Sequence, residues 1–406
     1  MAQSIVLGLD IGSQRIKAVI AEASKEKMRL IAGFVRPSAG LRRGVVVEMD
    51  ELIRALTDLF SEIKLTSKSA LKNIHLNVDI SDSRCQTSKG IIAVARANSE
   101  IHEDDIERVI QASQAIGLPN NRMILHNITR EFIVDGVSDI RDPLGMLGSR
   151  LEVSSLIIDA FSPAVKNLTK CVGLAGGSVS GLYFSPLSAA EAALTKNQKE
   201  LGVVLIDIGF STTGYAIFEE NKLLRTRLFP VGAGHITNDL AIALKVPVET
   251  AEKIKTAYGY ALAKEVPGKE SVDLKKIDSN ASGSPSKKFI AEIIESRAVE
   301  IFELVNDELK EVGKAGRLPA GAVIVGGGAK LPGITDLAKQ ELRLASQVGL
   351  PNVNLFEVKT EELADYVESP DYAVSLGLTL LSRERGKTKP REEINFITRF
   401  VRNLLP

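Results

Sequence analysis

Apolar residues gather along this chain in two kinds of run. In Ile5-Val-Leu-Gly-Leu-Asp10-Ile they are almost continuous, and a polar turn follows at Gly12 and Ser13. Ile16, Ala18 and Ile20 then recur at every second position, the period of a strand with one covered face. The pattern predicts a β-hairpin that opens a domain. About half a chain later it returns as Val203-Val-Leu-Ile-Asp207-Ile-Gly209-Phe-Ser211-Thr-Thr213, with a second extended stretch running on to Phe218. Such self-similarity predicts a duplicated fold. In each copy another extended stretch follows, residues 28–34 and 223–231, and then helical periodicity, residues 49–63 and 236–244. Each half therefore reads as an α/β domain.

Two stretches interrupt this order. Residues 85–162 are expected to form an irregular inserted subdomain with its own helix at 103–115 (apolar Ile106, Val109, Ile110) and a Gly/Pro-rich stretch at 142–148. A second insertion begins near Val266. Its Ser/Gly/Pro-punctuated part, 278–285, is expected to be a mobile loop and to lead into a long amphipathic helix at 288–312. The expected organisation is a first domain over 1–84 and 163–200 interrupted by the subdomain 85–162. A second domain over 201–265 follows, then its insertion 266–318, and a segment 319–382 that ends the second domain and returns to the first. Last come a basic linker 383–393 and a terminal helix 394–406.

The linker carries Arg383, Arg385, Lys387, Lys389 and Arg391 against Glu384, with Gly386 and Pro390 to break structure. Beyond it, at about 100° per residue, Ile394, Ile397, Phe400, Val401, Leu404 and Leu405 share one face, with Phe396 at its edge. Asn395, Thr398, Arg399 and Arg402 take the other face. Phe and Leu opposite Arg is the pattern of a helix lying in a bilayer interface, its basic residues reaching anionic lipid. The same periodicity also suits a helix docked on the protein's own core.

Composition narrows the function classes. The 406 residues hold 51 Lys plus Arg and 51 Asp plus Glu, so no global basic field draws the chain to nucleic acid. No run of eighteen apolar residues and no leader-like start occurs, and the expected place is the cytoplasm, peripheral to the membrane. Cys85 and Cys171 lack metal-type spacing, the four histidines form no cluster, and Trp is absent; reduced thiols with no metal cage are expected, and a reading that relies on stacking bases or sugars is weakened.

The chemistry concentrates in the glycine turns. Glycine lets backbone N–H groups approach an anion, neighbouring Ser and Thr hydroxyls add donors, and a nearby Asp can orient the water shell of Mg²⁺. One Asp-Ile-Gly-polar turn is an ordinary hairpin. Two in equivalent places of a duplicated fold, Asp10, Gly12 and Ser13 with Asp207, Gly209, Ser211, Thr212 and Thr213, could clamp a polyphosphate from both sides, with Asp10 and Asp207 reaching the metal through water. A third cluster, Gly326-Gly327-Gly328 before Lys330, suits backbone that passes under a flat ligand such as a purine. Glu252 and Lys255 share a helix face at i, i+3, where a solvated ion pair is the plainer reading.

Taken in order, these are the phosphate, connecting and adenosine segments of the actin-like ATPase superfamily, and the chain resembles most the FtsA family of bacterial cell-division proteins. The resemblance rests on Gly8-Leu-Asp-Ile-Gly12, Gly40-Leu-Arg-Arg-Gly-Val-Val-Val47, Asp142-Pro-Leu-Gly-Met-Leu-Gly-Ser-Arg-Leu151, Glu200-Leu-Gly-Val-Val-Leu-Ile-Asp-Ile-Gly209, Ile236-Thr-Asn-Asp-Leu240, Ala251-Glu-Lys-Ile-Lys255 and Ile324-Val-Gly-Gly-Gly-Ala-Lys-Leu-Pro-Gly333, with the amphipathic tail. It implies a duplicated RNase H-like (actin/Hsp70-type) two-domain fold with ATP and Mg²⁺ in the cleft between the domains. It also implies a relocated subdomain at 85–162 used in head-to-tail self-assembly, and a C-terminal peptide of the tubulin-like FtsZ bound at 266–318, on the helix carrying Arg297. On the same resemblance, Glu252, Lys255 and Gly326 to Lys330 lie around the nucleoside. The tail holds the protein on the membrane at the division site, where it tethers FtsZ and recruits later division proteins.

Two departures bear on activity. Where the superfamily usually has a second glycine in the later phosphate turn, this chain has Ser211 after bulky Phe210. Ser185 stands where some relatives place a carboxylate that orients the attacking water, and a serine is no equivalent base. ATP binding with slow or undetectable hydrolysis is expected. A small-molecule kinase of the same superfamily and a binding protein like the pilus-assembly relative PilM are the alternative readings.

Overall fold

The structure, a computed structural model, describes residues 5–24 and 27–385. The terminal helix expected at 394–406, with Ile394, Phe396, Ile397, Arg399, Phe400, Val401, Arg402, Leu404 and Leu405, lies outside the described residues, as does most of the linker.

The first domain opens with the antiparallel strands β1 (Ile5–Ile11), β2 (Arg15–Ala23) and β3 (Met28–Pro37). A short hairpin, β4 (Leu41–Arg42) and β5 (Val45–Val46), leads to helix α1 (Met49–Thr66). The chain returns as β6 (Ile74–Val78), parallel to β1. In α1 the buried Leu52, Leu56, Leu59, Phe60 and Ile63 repeat at helical spacing and face the sheet.

The insertion is more regular than expected. Strands β7 (Arg84–Ala93), β8 (Arg122–Val134), β9 (Val137–Ile140) and β10 (Arg150–Phe161) form an antiparallel sheet in the order β7-β10-β8-β9, covered by α2 (Glu103–Ser113). Two irregularities in the pairing of β10 with β8 shift its register, and such bulges break the period-two pattern by which strands are read from sequence. Its small core holds Ile101, Val109, Phe132, Leu151 and Val153.

The first domain then resumes with α3 (Ser162–Leu174), β11 (Val179–Phe184), α4 (Ser185–Ala193) and α5 (Lys196–Leu201). The second domain repeats the opening hairpin as β12 (Val203–Ile208), β13 (Thr213–Glu219) and β14 (Lys222–Phe229). Helices α6 (Ala233–Leu244), α7 (Val248–Tyr258) and α8 (Lys287–Glu311) follow. Then come β15 (Ala322–Val325), α9 (Ile334–Leu342), β16 (Ser346–Val348), β17 (Phe356–Glu357), α10 (Glu361–Val367) and α11 (Ala373–Arg385). The two main sheets run β11-β6-β1-β2-β3-β17 and β14-β13-β12-β15-β16.

Helix α8 starts where the Ser286 side chain accepts the Phe289 N–H at 3.1 Å, an N-cap. Ile290, Ile294, Ala298, Ile301, Phe302, Val305 and Leu309 are buried along it, each large apolar side chain contributing about 1.5–3 kcal/mol. The segment 278–285, expected to be mobile, is anchored. Ala281 is buried in a cluster with Ile236, Leu240, Ile254 and Ile290, and Thr250 Oγ1 donates to Asp278 Oδ2 at 2.8 Å. That cluster includes α6 and α7, which precede residue 266.

The two halves share an apolar seam. Ala189, Ala190 and Ala193 of α4 with Ala373, Val374 and Leu378 of α11 pack against Val203, Leu205 and Ala216 of the second sheet. Gly377 makes this approach feasible, since a Cβ there would stand 1.7 Å from the Ser188 carbonyl oxygen. The seam holds the opening turns of both domains on one side, facing each other.

Candidate functional site

The two turns are built alike. Gly12 N–H donates to the Arg15 carbonyl at 3.1 Å and Gly209 N–H to the Thr212 carbonyl at 2.9 Å, the same bond at the same place in each repeat. They meet tip to tip, with Ser13 Oγ 2.5 Å from Ser211 Oγ. Around this contact lies a cavity of about 430 Å³, within the usual range for small-molecule sites.

Asp10 and Asp207 each lie one residue before the end of their strand, β1 and β12. Asp10 Oδ1 accepts from Asn77 Nδ2 at 2.9 Å, and Lys17 Nζ stands 3.9 Å from its other oxygen. Asn77 also fixes the backbone here, its Oδ1 accepting the Ile11 N–H at 2.8 Å. Gly326 has φ +83, and a Cβ on it would stand 2.3 Å from Asp207 Oδ1, so this turn must be glycine to clear the carboxylate. Burial pushes Asp10 up to about 6, with Lys17 opposing and Asp79 and Asp371 adding to the rise. Burial pushes Asp207 up to about 7, with the charges of Asp79 and Asp10 adding to it.

On the far wall Lys255 is buried and not solvated. Its Nζ donates to Glu252 Oε2 at 2.7 Å, Thr237 Oγ1 at 2.8 Å and the Ala233 carbonyl at 3.2 Å, and Glu252 also accepts from Thr237 Oγ1 at 2.5 Å. Gly326, Gly327 and Gly328 form the adjoining edge, where a side chain on Gly327 would find only Asp371 Oδ1, at 3.8 Å, close to it. Lys330 pairs with Asp371 Oδ2 at 2.7 Å, and Lys17 Nζ donates to the Asp371 carbonyl at 2.7 Å. Asp371 Oδ1 is buried without a hydrogen-bond partner, an acceptor left for a donor on a ligand.

Asp10, Gly12, Ser13, Asp207, Gly209, Ser211, Thr212, Glu252, Lys255, Gly326, Gly327, Gly328 and Lys330 all line this cavity. Thr213 is fully buried at the start of β13 and its hydroxyl has no partner. Asn77, Asp79, Lys17 and Asp371 also line the cavity and escaped the sequence reading. The available signal was polar Asn77 inside the wholly buried strand β6, at the carboxyl end of a strand parallel to β1, where ligands gather in α/β sheets.

Arg297 lies elsewhere, on α8, where its guanidinium grips Asp239 of α6 at 2.7 and 3.1 Å and also pairs with Glu300. These pairs border a shallow groove that includes the strongly exposed Ile242.

Chemically, the turns offer N–H and hydroxyl donors to an anion, yet Asp10, Asp79, Asp207 and Asp371 surround it with negative charge. A polyphosphate therefore enters only with a cation. Among the described residues no three His, Cys, Asp or Glu side chains converge closely enough to hold a bare metal ion.

Residues 204–377 match the family model described as cell division protein FtsA, and residues 81–159 match the SHS2 domain inserted in FtsA. The chain is 35% identical to the cell division protein FtsA of Bacillus subtilis over 96% of this chain and 86% of that one. It is 32% identical to that of Pseudomonas aeruginosa over 94% and 90%. Among solved structures it is similar to the PilM-PilN type IV pilus biogenesis complex, with a TM-score of 0.66 and 19% identity over 93% of this chain and 98% of that one. It is similar too to MreB5 of Spiroplasma citri bound to ADP, with a TM-score of 0.55 and 14% identity over 95% and 97%. These likenesses establish the mixed α/β, actin-like fold with its inserted subdomain. At 32–35% identity over nearly its whole length, the chain belongs to the FtsA family of cell division proteins.

Proposed function

We propose that this chain is an ATP-binding, self-assembling scaffold that tethers FtsZ to the inner face of the cytoplasmic membrane at the division site. The observation that carries the nucleotide part is the pair of identical turns meeting at Ser13 and Ser211 over Asp10 and Asp207. Backbone N–H groups and hydroxyls of both turns hold the phosphates. Asp10 and Asp207 accept hydrogen bonds from the water shell of Mg²⁺, whose charge offsets the carboxylates. Glu252, Lys255 and the edge Gly326 to Lys330 enclose the nucleoside. An ADP-bound neighbour of the same fold supports this reading.

The rest follows from the family and the sequence. The inserted subdomain contacts the next copy in a head-to-tail filament, and the α8 region around Arg297 takes the FtsZ peptide. The tail lies in the bilayer interface; no described helix is long and apolar enough to cross a membrane. Each tail binds reversibly, because its shallowly inserted side chains must offset helix ordering. A filament aligns many tails on one surface and multiplies their effect, so nucleotide-dependent assembly governs membrane residence.

Co-sedimentation with anionic liposomes, comparing the full chain with one ending at Glu393 and each with and without Mg-ATP, tests the proposal. Binding that needs the tail and strengthens with ATP supports both anchor and switch. Tail-dependent binding indifferent to nucleotide removes the switch. No binding by either chain overturns the anchor.

A further inference from the structure

The sequence leaves hydrolysis without a carboxylate at Ser185, but the fold supplies another beside it. Asp79 follows β6, the strand next to β1, and its side chain lines the cavity with Asp10 and Asp207. Its Oδ2 accepts from Thr212 Oγ1 at 2.5 Å, a contact from the first domain to the second domain's turn. Ser185, whose hydroxyl donates to the Val78 carbonyl at 3.3 Å, lines the cavity beside it. Ser185 in turn accepts from Asn77 Nδ2 at 3.3 Å. The carboxylate is thus held by a hydroxyl of the second domain's turn.

Its position also separates it from the other acids. Asp10 is engaged by Asn77 and Lys17, and Asp371 by Lys330. Asp79, by contrast, neighbours Thr212, next to Ser211, where the two turns meet. A terminal phosphate clamped between the turns lies at that meeting point. A carboxylate has about four lone-pair sites, so one hydroxyl donor leaves acceptor capacity toward the cavity.

We propose that Asp79 orients the attacking water when this site hydrolyses a nucleoside triphosphate, taking the part that Ser185 cannot. This rests on the nucleotide reading above. In the step, the water oxygen bonds to the γ-phosphorus while the bond from that phosphorus to the β–γ bridging oxygen breaks. The electron pair leaves with the nucleoside diphosphate, and the water's proton ends on the released phosphate. Such a transition state is loose and asks for positioning more than for deprotonation. Asp79 supplies the position by accepting a hydrogen bond from the water. Because Thr212 belongs to the other domain, the geometry exists only while the cleft is closed.

The test uses the full chain and its Asp79→Asn and Asp79→Asn/Ser185→Asp variants. Titration with a fluorescent ATP analogue in the presence of Mg²⁺ reads binding, and single-turnover phosphate release reads chemistry. Asp79→Asn is expected to keep its affinity and to lose about 100-fold in phosphate release, and Ser185→Asp is expected to restore at least about tenfold. A merely structural role would lower affinity and show no rescue. Equal phosphate release by the wild type and Asp79→Asn, with binding intact, overturns the role of Asp79 alone. Failure of the wild type to bind Mg-ATP overturns the nucleotide reading, and this inference with it.

Discussion

Ser13 and Ser211, far apart in sequence, bring their hydroxyls within 2.5 Å at the tips of two turns that share the same internal hydrogen bond. On the proposed nucleotide reading, the contact stands where the terminal phosphate enters. A ligand must rearrange it, and a typical hydrogen bond contributes about 0.5–1.5 kcal/mol net.

Ser211→Gly removes that bond and the Cβ at this position. Mg-ATP affinity is expected to rise about two- to tenfold, the equivalent of one such bond. Calorimetric titration of both proteins checks it; unchanged or weaker binding contradicts the idea that the serine pair competes with phosphate.

The raised carboxyls make stability depend on pH in a definite sense. Asp10 titrates at about 6 and Asp207 at about 7 in the folded chain, against 3.8 unfolded. Between these values the folded state binds more protons than the unfolded one, so their contribution to stability falls as pH rises and levels off above the folded values. Asp207→Asn does not ionise. Its Tm relative to the wild type is therefore expected to rise from roughly pH 5 to pH 8 in the absence of nucleotide. A difference that stays flat across that range would show that Asp207 is ionised throughout.

Much of this site was legible because local chemistry repeats. Two apolar strands ending in Asp-Ile-Gly predicted two equivalent turns, and the structure brings Asp10, Ser13, Asp207 and Ser211 together. Asn77 and Asp79 were not legible. They enter from a strand that pairs with β1 only after the whole of α1 has intervened, and nothing local marks that pairing. The strands of the insertion were hidden by the register shifts in β10. The loop at 278–285 read as mobile from its Ser and Gly content, yet hydrogen bonds from Thr250, Val272 and Leu274 and the burial of Ala281 hold it. On spacing alone Lys255 read as half of a solvated ion pair, and only the family resemblance placed it at the cleft, because helical spacing shows which residues share a face and not which face is covered.

Arg122 ties the strand ends of the insertion together. From the start of β8 it bonds Asp159 of β10 through Nε, and NH1 and NH2 reach the Asp82 carboxylate at 2.8 Å and carbonyl at 2.7 Å. Asp159 is fully buried. Arg122→Ala leaves that charge without its partner and is expected to cost about 3–5 kcal/mol in urea denaturation. Arg122→Lys recovers little of it, because an ammonium cannot reproduce the planar fork. Removing the exposed pair Lys310–Asp307 is expected to have no measurable effect.

Tyr215 links the second turn to the long helix. It lies on β13, two residues after Thr213, fully buried, and its hydroxyl donates to Glu308 Oε2 of α8 at 2.7 Å. Arg227 donates to the other oxygen at 2.9 Å and Arg225 also pairs with this carboxylate. Burial alone would raise Glu308, but the hydrogen bonds from Tyr215 and Arg227 and the charge of Arg225 together hold it below the usual carboxylate range. Its stabilisation is therefore present above its ordinary pKa and lost as pH falls through its lowered one. Tyr215→Phe removes one hydrogen bond to a charged group while both arginines remain, so the loss is expected at the lower end for such bonds, about 1.5 kcal/mol at neutral pH. The difference between the two proteins is expected to shrink toward acid pH, where protonated Glu308 no longer favours the bond. Urea unfolding at neutral and acid pH reads both numbers, and a loss that stays the same on acidification would mean that Tyr215 acts through packing and not through Glu308.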